Sequence, residues 1–161
     1  MSIKVPTLGA TAAPLAAGAL LLPGASAQDP GPRTITLREL EKGATFSHIR
    51  NKRAKTARSI AQGDLIVFTN PLADTSGARV GVVHVSCVAT VGARDFTKST
   101  MLCGAVARLR DGDLTSQILV RLGRARNTGA ITGGTGAYAG ARGVITSVDG
   151  ENGATDTITL S

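Results

Sequence analysis

Few side chains in this sequence belong to the types that carry out acid–base or nucleophilic chemistry. The two histidines, His48 and His84, both fall in strand-like segments, and neither has a carboxylate or serine in the arrangement of a hydrolytic triad. A lone histidine in a strand is more often a surface or packed core residue than a base. With two cysteines, these histidines lack convincing ligand spacing for zinc. The sequence therefore predicts neither a hydrolase nor a metal site, and it implies no cofactor.

A glycine-rich segment, residues 133–143, has the composition of a phosphate-binding loop but not its pattern. It lacks the lysine followed by serine or threonine, and strand-like residues come next where a helix would be needed. The segment instead predicts a tight connection in which a tyrosine packs into the end of the core. The structural residues of this turn are Gly133, Gly134, Gly136, Tyr138, Gly140 and Gly143.

The charge balance is strongly basic, with 18 lysines and arginines against 11 acids and a net charge of +7. Such a surface favours anionic partners. Three phenylalanines and one tyrosine are few for a protein that stacks single-stranded bases, so nucleic acid is not favoured. The densest basic run is typical of a solvated edge or loop, with an anion-docking patch as the alternative. The run consists of Arg50, Lys52, Arg53, Lys55 and Arg58.

The N-terminal segment has the pattern of a secretory signal. Lys4 precedes an apolar run over residues 15–22, and Ala25-Ser26-Ala27 supplies the small residues of a cleavage site. The run is too short to cross a bilayer, so no transmembrane anchor is expected. We expect residues 1–27 to be a signal peptide and 28–32 a flexible lead. Residues 33–161 would then form one secreted, extracellular domain.

The rest of the chain alternates polar and apolar residues, as half-buried strands do. No stretch shows sustained helical spacing with caps at both ends. Short strands at regular spacing, separated by turn residues, are typical of an all-β sandwich or barrel, and the many glycines favour barrel corners. We therefore predict an all-β domain that closes into an antiparallel barrel. The predicted strands are 34–38, 44–49, 65–69, 79–91, 99–109, 114–122, 128–132, 143–148 and 154–160.

The two cysteines provide an independent test of these strands. An even number of cysteines in an exported chain predicts a disulfide, here between Cys87 and Cys103. The two residues lie on consecutive predicted strands, and the loop between these strands lies midway between the cysteines. A hairpin centred near Asp95 would place them directly opposite each other, within bridging distance. The strand pattern and the disulfide therefore agree.

Two segments resemble the allene oxide cyclase barrel. Gly63 to Leu72, continuing through Arg79-Val80-Gly81 to Cys87, resembles its first half, and residues 130–143 resemble a late segment that plant dirigent proteins share in looser form. The resemblance implies a single eight-stranded barrel with an apolar pocket, often assembled as a homotrimer. It also implies that Asn70 matches an asparagine that helps to hold a pocket water, and that Cys87 matches a cysteine facing the cavity.

The sequence also departs from that family. The cyclases carry a glutamate on an early strand, followed shortly by an asparagine and a proline, and residues 46–58 contain no such set. A pocket tyrosine expected near Val120 is absent as well. A Cys87–Cys103 disulfide would remove the thiol chemistry of Cys87.

The favoured hypothesis is a secreted barrel that binds a small lipophilic molecule and steers its cyclisation or coupling. If it is an enzyme, the resemblance implies an isomerase or cyclase. One alternative is a non-catalytic carrier or envelope-associated binding barrel. Another is a polyanion-binding protein that uses the basic run.

Overall fold

The computed structural model describes residues 32–51 and 59–161. The predicted signal peptide, residues 28–31 of the lead and residues 52–58 of the basic run lie outside the described residues. Within the described ranges, two single-turn 3-10 helices, Phe96–Lys98 and Gly136–Tyr138, interrupt otherwise all-β structure. The strands are β1 (Arg33–Glu39), β2 (Thr45–Ile49), β3 (Leu65–Ala73), β4 (Arg79–Val91), β5 (Thr100–Leu109), β6 (Gly112–Arg121), β7 (Arg126–Gly134), β8 (Gly143–Val148) and β9 (Thr155–Leu160).

The sheet closes because β1 has a neighbour on both sides. It pairs along most of its length with β9, and its last two residues pair with the end of β3. Each strand from β3 to β8 pairs antiparallel with the next one in the chain. β2 continues along β3 beyond the point where β1 ends. The predicted closed antiparallel eight-stranded barrel is therefore confirmed, with β2 as an additional strand.

The prediction that the third strand ends before Asn70-Pro71 is wrong, because β3 continues to Ala73. Pro71 lies between the part of β3 that pairs with β2 and the part that pairs with β1. The Leu40 N–H donates to the Pro71 carbonyl at 2.8 Å. The nitrogen and oxygen of a strand residue point to the same side of the strand. The side of Pro71 that lacks an N–H therefore faces the gap between β1 and β2 and not β4, so no hydrogen bond to β4 is lost.

The closed end of the barrel is filled by a cluster of apolar side chains. Leu72 and Ile158 are almost completely buried there, and Tyr138 packs against them from the second 3-10 helix. A Cβ atom at Gly134 would lie 2.5 Å from the Tyr138 carbonyl oxygen, so only glycine lets β7 approach this helix. Gly136, Gly140 and Gly143 have positive φ angles, which suit them to a tight connection.

A second buried cluster, around Cys87, Met101 and Cys103, lies nearer the other end of the barrel. Cys87 and Cys103 are direct register partners on β4 and β5, as the hairpin argument requires. They form a disulfide, which confirms the predicted pairing. Across residues 32–51 and 59–161, no helix has the length and apolar character needed to cross a membrane.

Candidate ligand cavity

The barrel encloses a cavity of about 780 Å³ whose wall is mainly apolar. Because side chains alternate between the two faces of a strand, every second residue of each barrel strand points into it. On β4 these residues are Val83, Val85 and Cys87, and the matching positions of β5 also contribute. Its volume lies within the range of about 300–1,000 Å³ that is typical of small-molecule sites. The cavity can therefore hold a small apolar molecule.

Two phenylalanines lie at the open end of this cavity. We call this end the mouth and define it by Phe46, Arg94, Asp95 and Phe96. All three phenylalanines of the chain line the cavity. Phe46 is 68% exposed and Phe96 is 50% exposed, whereas Phe68, the register partner of Phe46, is half-buried. Large exposed apolar rings at the rim of a cavity are typical of ligand-binding surfaces.

A cluster of carboxyl groups interrupts the apolar wall where β1 ends. Glu39 is the last residue of β1, and its backbone N–H donates to the Ala154 carbonyl at 2.8 Å, just before β9 begins. Asp156 lies diagonally opposite on β9 and hydrogen-bonds to Glu39. The Asn70 amide donates to Glu39 Oε2 at 2.5 Å from β3. Ser147, the register partner of Asp156 on β8, lies on its other side and acts to lower the pKa of Asp156.

The pKa of Glu39 is raised from 4.5 to about 7. Burial is the largest cause, followed by the negative charge of Asp156, and the hydrogen bond from Asn70 partly opposes them. Asp149 adds a smaller repulsion. The pKa of Asp156 is raised too, mainly by burial and with a contribution from Asp149. Two close carboxyls that cannot both ionise hold a shared proton, so this pair keeps a proton available near neutral pH.

The two residues that the resemblance assigned to the pocket both line the cavity. Asn70 touches the carboxyl pair, whereas Cys87 faces the cavity as half of the disulfide and has no free thiol. In the 133–143 segment, Gly133 and Gly134 end β7, Gly143 begins β8, and the connection between them contains Gly136, Tyr138 and Gly140. Among the described residues, no group of histidine, cysteine, aspartate and glutamate side chains is placed to hold a metal ion.

The two central acids, Glu39 and Asp156, were not predicted from the sequence, although the sequence contains a signal for them. Glu39 continues the inward phase of Ile35 and Leu37, and Asp156 shares the inward phase of Ile158. An acid in the apolar phase of a strand is typical of a functional or paired carboxyl, because burying an isolated charge is unfavourable. Glu39 ends β1, so it lies before residues 46–58, where the resemblance places the family glutamate.

Comparison with known families assigns the fold. The family described as "Allene oxide cyclase barrel like domain" matches residues 45–157, most of the chain. The protein belongs to the allene oxide cyclase barrel like family. No curated protein sequence matches the chain.

Several solved structures share the barrel of this family member. Pyocyanin demethylase is 23% identical, with 80% of this chain and 100% of that chain covered and a TM-score of 0.62. A pterocarpan synthase dirigent protein is 19% identical over 80% and 81% of the two chains, with a TM-score of 0.53. The Diels Alderase AbmU from Streptomyces koyangensis is 12% identical over 81% and 63%, with a TM-score of 0.56. At these identities, the likeness shows a common fold.

Proposed function

We propose that this protein is a secreted barrel that binds a small, conjugated, lipophilic molecule and steers its isomerisation or cyclisation by proton transfer. One observation carries the proposal. Two neighbouring carboxyl groups, Glu39 and Asp156, line an apolar cavity that is large enough for such a ligand, and burial raises the pKa of Glu39 to about 7. A purely structural barrel would have no use for an unfilled interior with buried acids, since both features reduce stability.

The geometry suits Glu39 to act as a general acid. A proton donor works best when its pKa lies near the working pH, and that of Glu39 is raised to about 7. After the proton leaves, the Asn70 amide still donates to the Glu39 carboxylate and stabilises its charge. The apolar wall holds the ligand in one conformation, so that ring closure or protonation occurs on one face. Isomerisation of this kind requires no oxidant.

The solved relatives support this class of ligand by analogy. Their names identify a demethylase of pyocyanin, a pterocarpan synthase and a Diels Alderase. These names denote reactions of small organic molecules, and a Diels–Alder reaction closes a ring on a conjugated diene. The exposed phenylalanines at the mouth would contact such rings face to edge or in an offset stack.

A binding experiment tests the proposal with a defined probe. 7-Methoxyflavone is planar, uncharged and conjugated, and its ketone oxygen can accept a hydrogen bond from protonated Glu39. We expect it to bind the secreted protein in isothermal titration calorimetry. Phe96→Ala should weaken binding about fivefold, because half of the Phe96 ring is free to be covered by a ligand.

Leu119→Ala is the matched control, because Leu119 is also 50% exposed but lies on the outer face of β6. It should leave the affinity unchanged. Absence of binding, or equal losses in the two variants, would contradict a ligand site in the barrel. If 7-methoxyflavone bound equally well to Glu39→Gln and to the wild type at all pH values, the protein would be better described as a carrier.

A further inference from the structure

A second titratable pair faces the cavity at a distance from the carboxyl cluster. His48 on β2 lines the cavity, and the exposed fraction of its side chain is 18%. Its Nε2 atom lies 2.9 Å from Oδ2 of Asp64, which is completely buried. Neither residue contributes to the Glu39–Asp156 pair.

Asp64 is held as a carboxylate by its hydrogen bonds. It accepts from the backbone N–H of Asn51 at 2.6 Å and from that of Ala61 at 3.0 Å, in addition to His48. Burial acts to raise the pKa of Asp64, but these hydrogen bonds outweigh burial and hold the pKa below its usual value. A carboxylate can only accept, so His48 Nε2 carries the hydrogen.

The other ring nitrogen is therefore available to a ligand. With Nε2 protonated, Nδ1 of the neutral imidazole is an acceptor. Among the described residues, Nδ1 has no hydrogen-bond partner. A histidine whose Nε2 is fixed by a buried carboxylate, and whose side chain lines a cavity, has the arrangement of an oriented base.

The two polar sites lie far enough apart to contact opposite ends of one molecule. His48 is the register partner of Ile66 on β3, and Glu39 touches Asn70 on the same strand. Asn70 lies four positions after Ile66 along β3, which corresponds to about 13 Å. The side chains between them on the inward face, such as Phe68, are apolar.

We propose that His48 is a second ligand-contacting residue of this cavity, which accepts the proton of an acidic phenol or enol hydroxyl, with Asp64 as its positioning residue. The inference rests on the proposed function and narrows the ligand class to conjugated hydroxyl compounds. In the step, the ligand O–H bond breaks and its proton moves to His48 Nδ1. The electron pair stays on the ligand and delocalises to a carbon atom, which takes the proton of Glu39. The result is an isomer, an imidazolium and a carboxylate, with no net gain or loss of protons or electrons.

Other charged groups also face this cavity, and one of them could stabilise a ligand anion in place of His48. Arg94 at the mouth is a cation, and any test must separate its effect from that of His48. The remaining charged side chains that line the cavity within the described residues are acidic and would oppose an anion: Glu39, Glu41, Asp95, Asp149 and Asp156.

A spectrophotometric titration of two probes tests the assignment. 7-Hydroxyflavone changes its absorption spectrum when its hydroxyl ionises, whereas 7-methoxyflavone has no proton to lose. We expect the pKa of bound 7-hydroxyflavone to fall by about one unit or more below that of the free molecule, because a base and its imidazolium stabilise the anion. His48→Gln retains a donor to Asp64 and should abolish the shift. His84→Gln is the matched control, since His84 lies on the outer face of β4 and should leave the shift intact.

The possible outcomes separate the two proposals. If neither flavone binds, the ligand cavity itself fails, and this inference fails with it. If both bind but His48→Gln retains the full shift, or Arg94→Gln removes it while His48→Gln does not, His48 is not the base. Asp64→Asn should reduce the shift without weakening the binding of 7-methoxyflavone. A purely structural Asp64 would instead change the affinity for both flavones together.

Discussion

Replacing Glu39 by glutamine should change how the stability of the protein depends on pH. Glutamine keeps the shape of the side chain, can accept from Asn70 and can donate to Asp156, but it cannot ionise. In the wild type, burial and the neighbouring acids raise the pKa of Glu39 from 4.5 to about 7. The folded state therefore holds a proton that the unfolded state releases between these two pH values.

The sign and size of the effect follow from proton linkage. Where the folded state binds more protons than the unfolded state, the free energy of unfolding falls as the pH rises. A shift from 4.5 to about 7 is about 2.5 units, which corresponds to about 3 kcal/mol. This contribution is fully present below pH 4.5 and is lost as the pH rises through about 7. The wild type should therefore lose about 3 kcal/mol relative to Glu39→Gln across this window.

Urea denaturation of both proteins from pH 4.5 to 8.5, with the disulfide intact, measures this difference. Subtracting the two curves removes carboxyls common to both, such as Asp64, whose lowered pKa gives the opposite slope. Glu41→Gln is the matched control, because Glu41 is exposed and only two residues away. It should follow the wild type. Parallel curves for wild type and Glu39→Gln would refute the claim that the pair retains a proton.

Three further substitutions test the contacts that stabilise the barrel around the cavity. Replacing both Cys87 and Cys103 by alanine should lower the free energy of unfolding by about 3 kcal/mol, because the disulfide no longer restricts the unfolded chain; chemical denaturation measures the loss, and an unchanged midpoint would count against it. Gly134→Ala should lower the free energy of unfolding by roughly 1 kcal/mol or more, because the added Cβ would clash with the Tyr138 carbonyl oxygen. Gly104→Ala is the control and should leave the stability almost unchanged, because nothing lies within 4 Å of its Cβ position. Equal shifts of the melting temperature in the two glycine variants would be evidence against the close contact of Gly134 with Tyr138.

Local patterns were sufficient to predict most of the barrel. Apolar patterning located the nine strands of the described residues to within a few residues, because one face of each strand is buried and the other is solvated. The spacing of Cys87 and Cys103 about a hairpin predicted their register, which the structure confirms. The end of β3 was misplaced because proline normally ends a strand. A proline can stay within a strand when no neighbouring strand needs its missing N–H as a hydrogen-bond donor. For Pro71 this depends on how β1 and β2 meet along β3 when the barrel closes, which the local sequence does not reveal.

The candidate site was harder to predict because its parts are distant in sequence. Asn70 was selected by resemblance, but its partner Glu39 lies 31 residues earlier and meets it only where β1 closes onto β3. Asp156 reaches the same point from the last strand. The His48–Asp64 pair likewise depends on β2 folding back along β3, and each residue alone has the appearance of an ordinary surface group. The usable signal in the sequence was an acid at a position where the alternation of the strand predicts an inward-facing apolar residue. This signal was clearest for Glu39 and Asp156.

The central claim is that an apolar ligand cavity ends at a protonated carboxyl group. Nuclear magnetic resonance of protein with ¹³C-labelled glutamate and aspartate carboxyls, titrated with and without 7-methoxyflavone, tests it most directly. We expect the Glu39 carboxyl to titrate with a midpoint near 7 and its resonance to shift when the flavone is added. A midpoint near 4.5 together with no response to the flavone would contradict both the acid and the cavity.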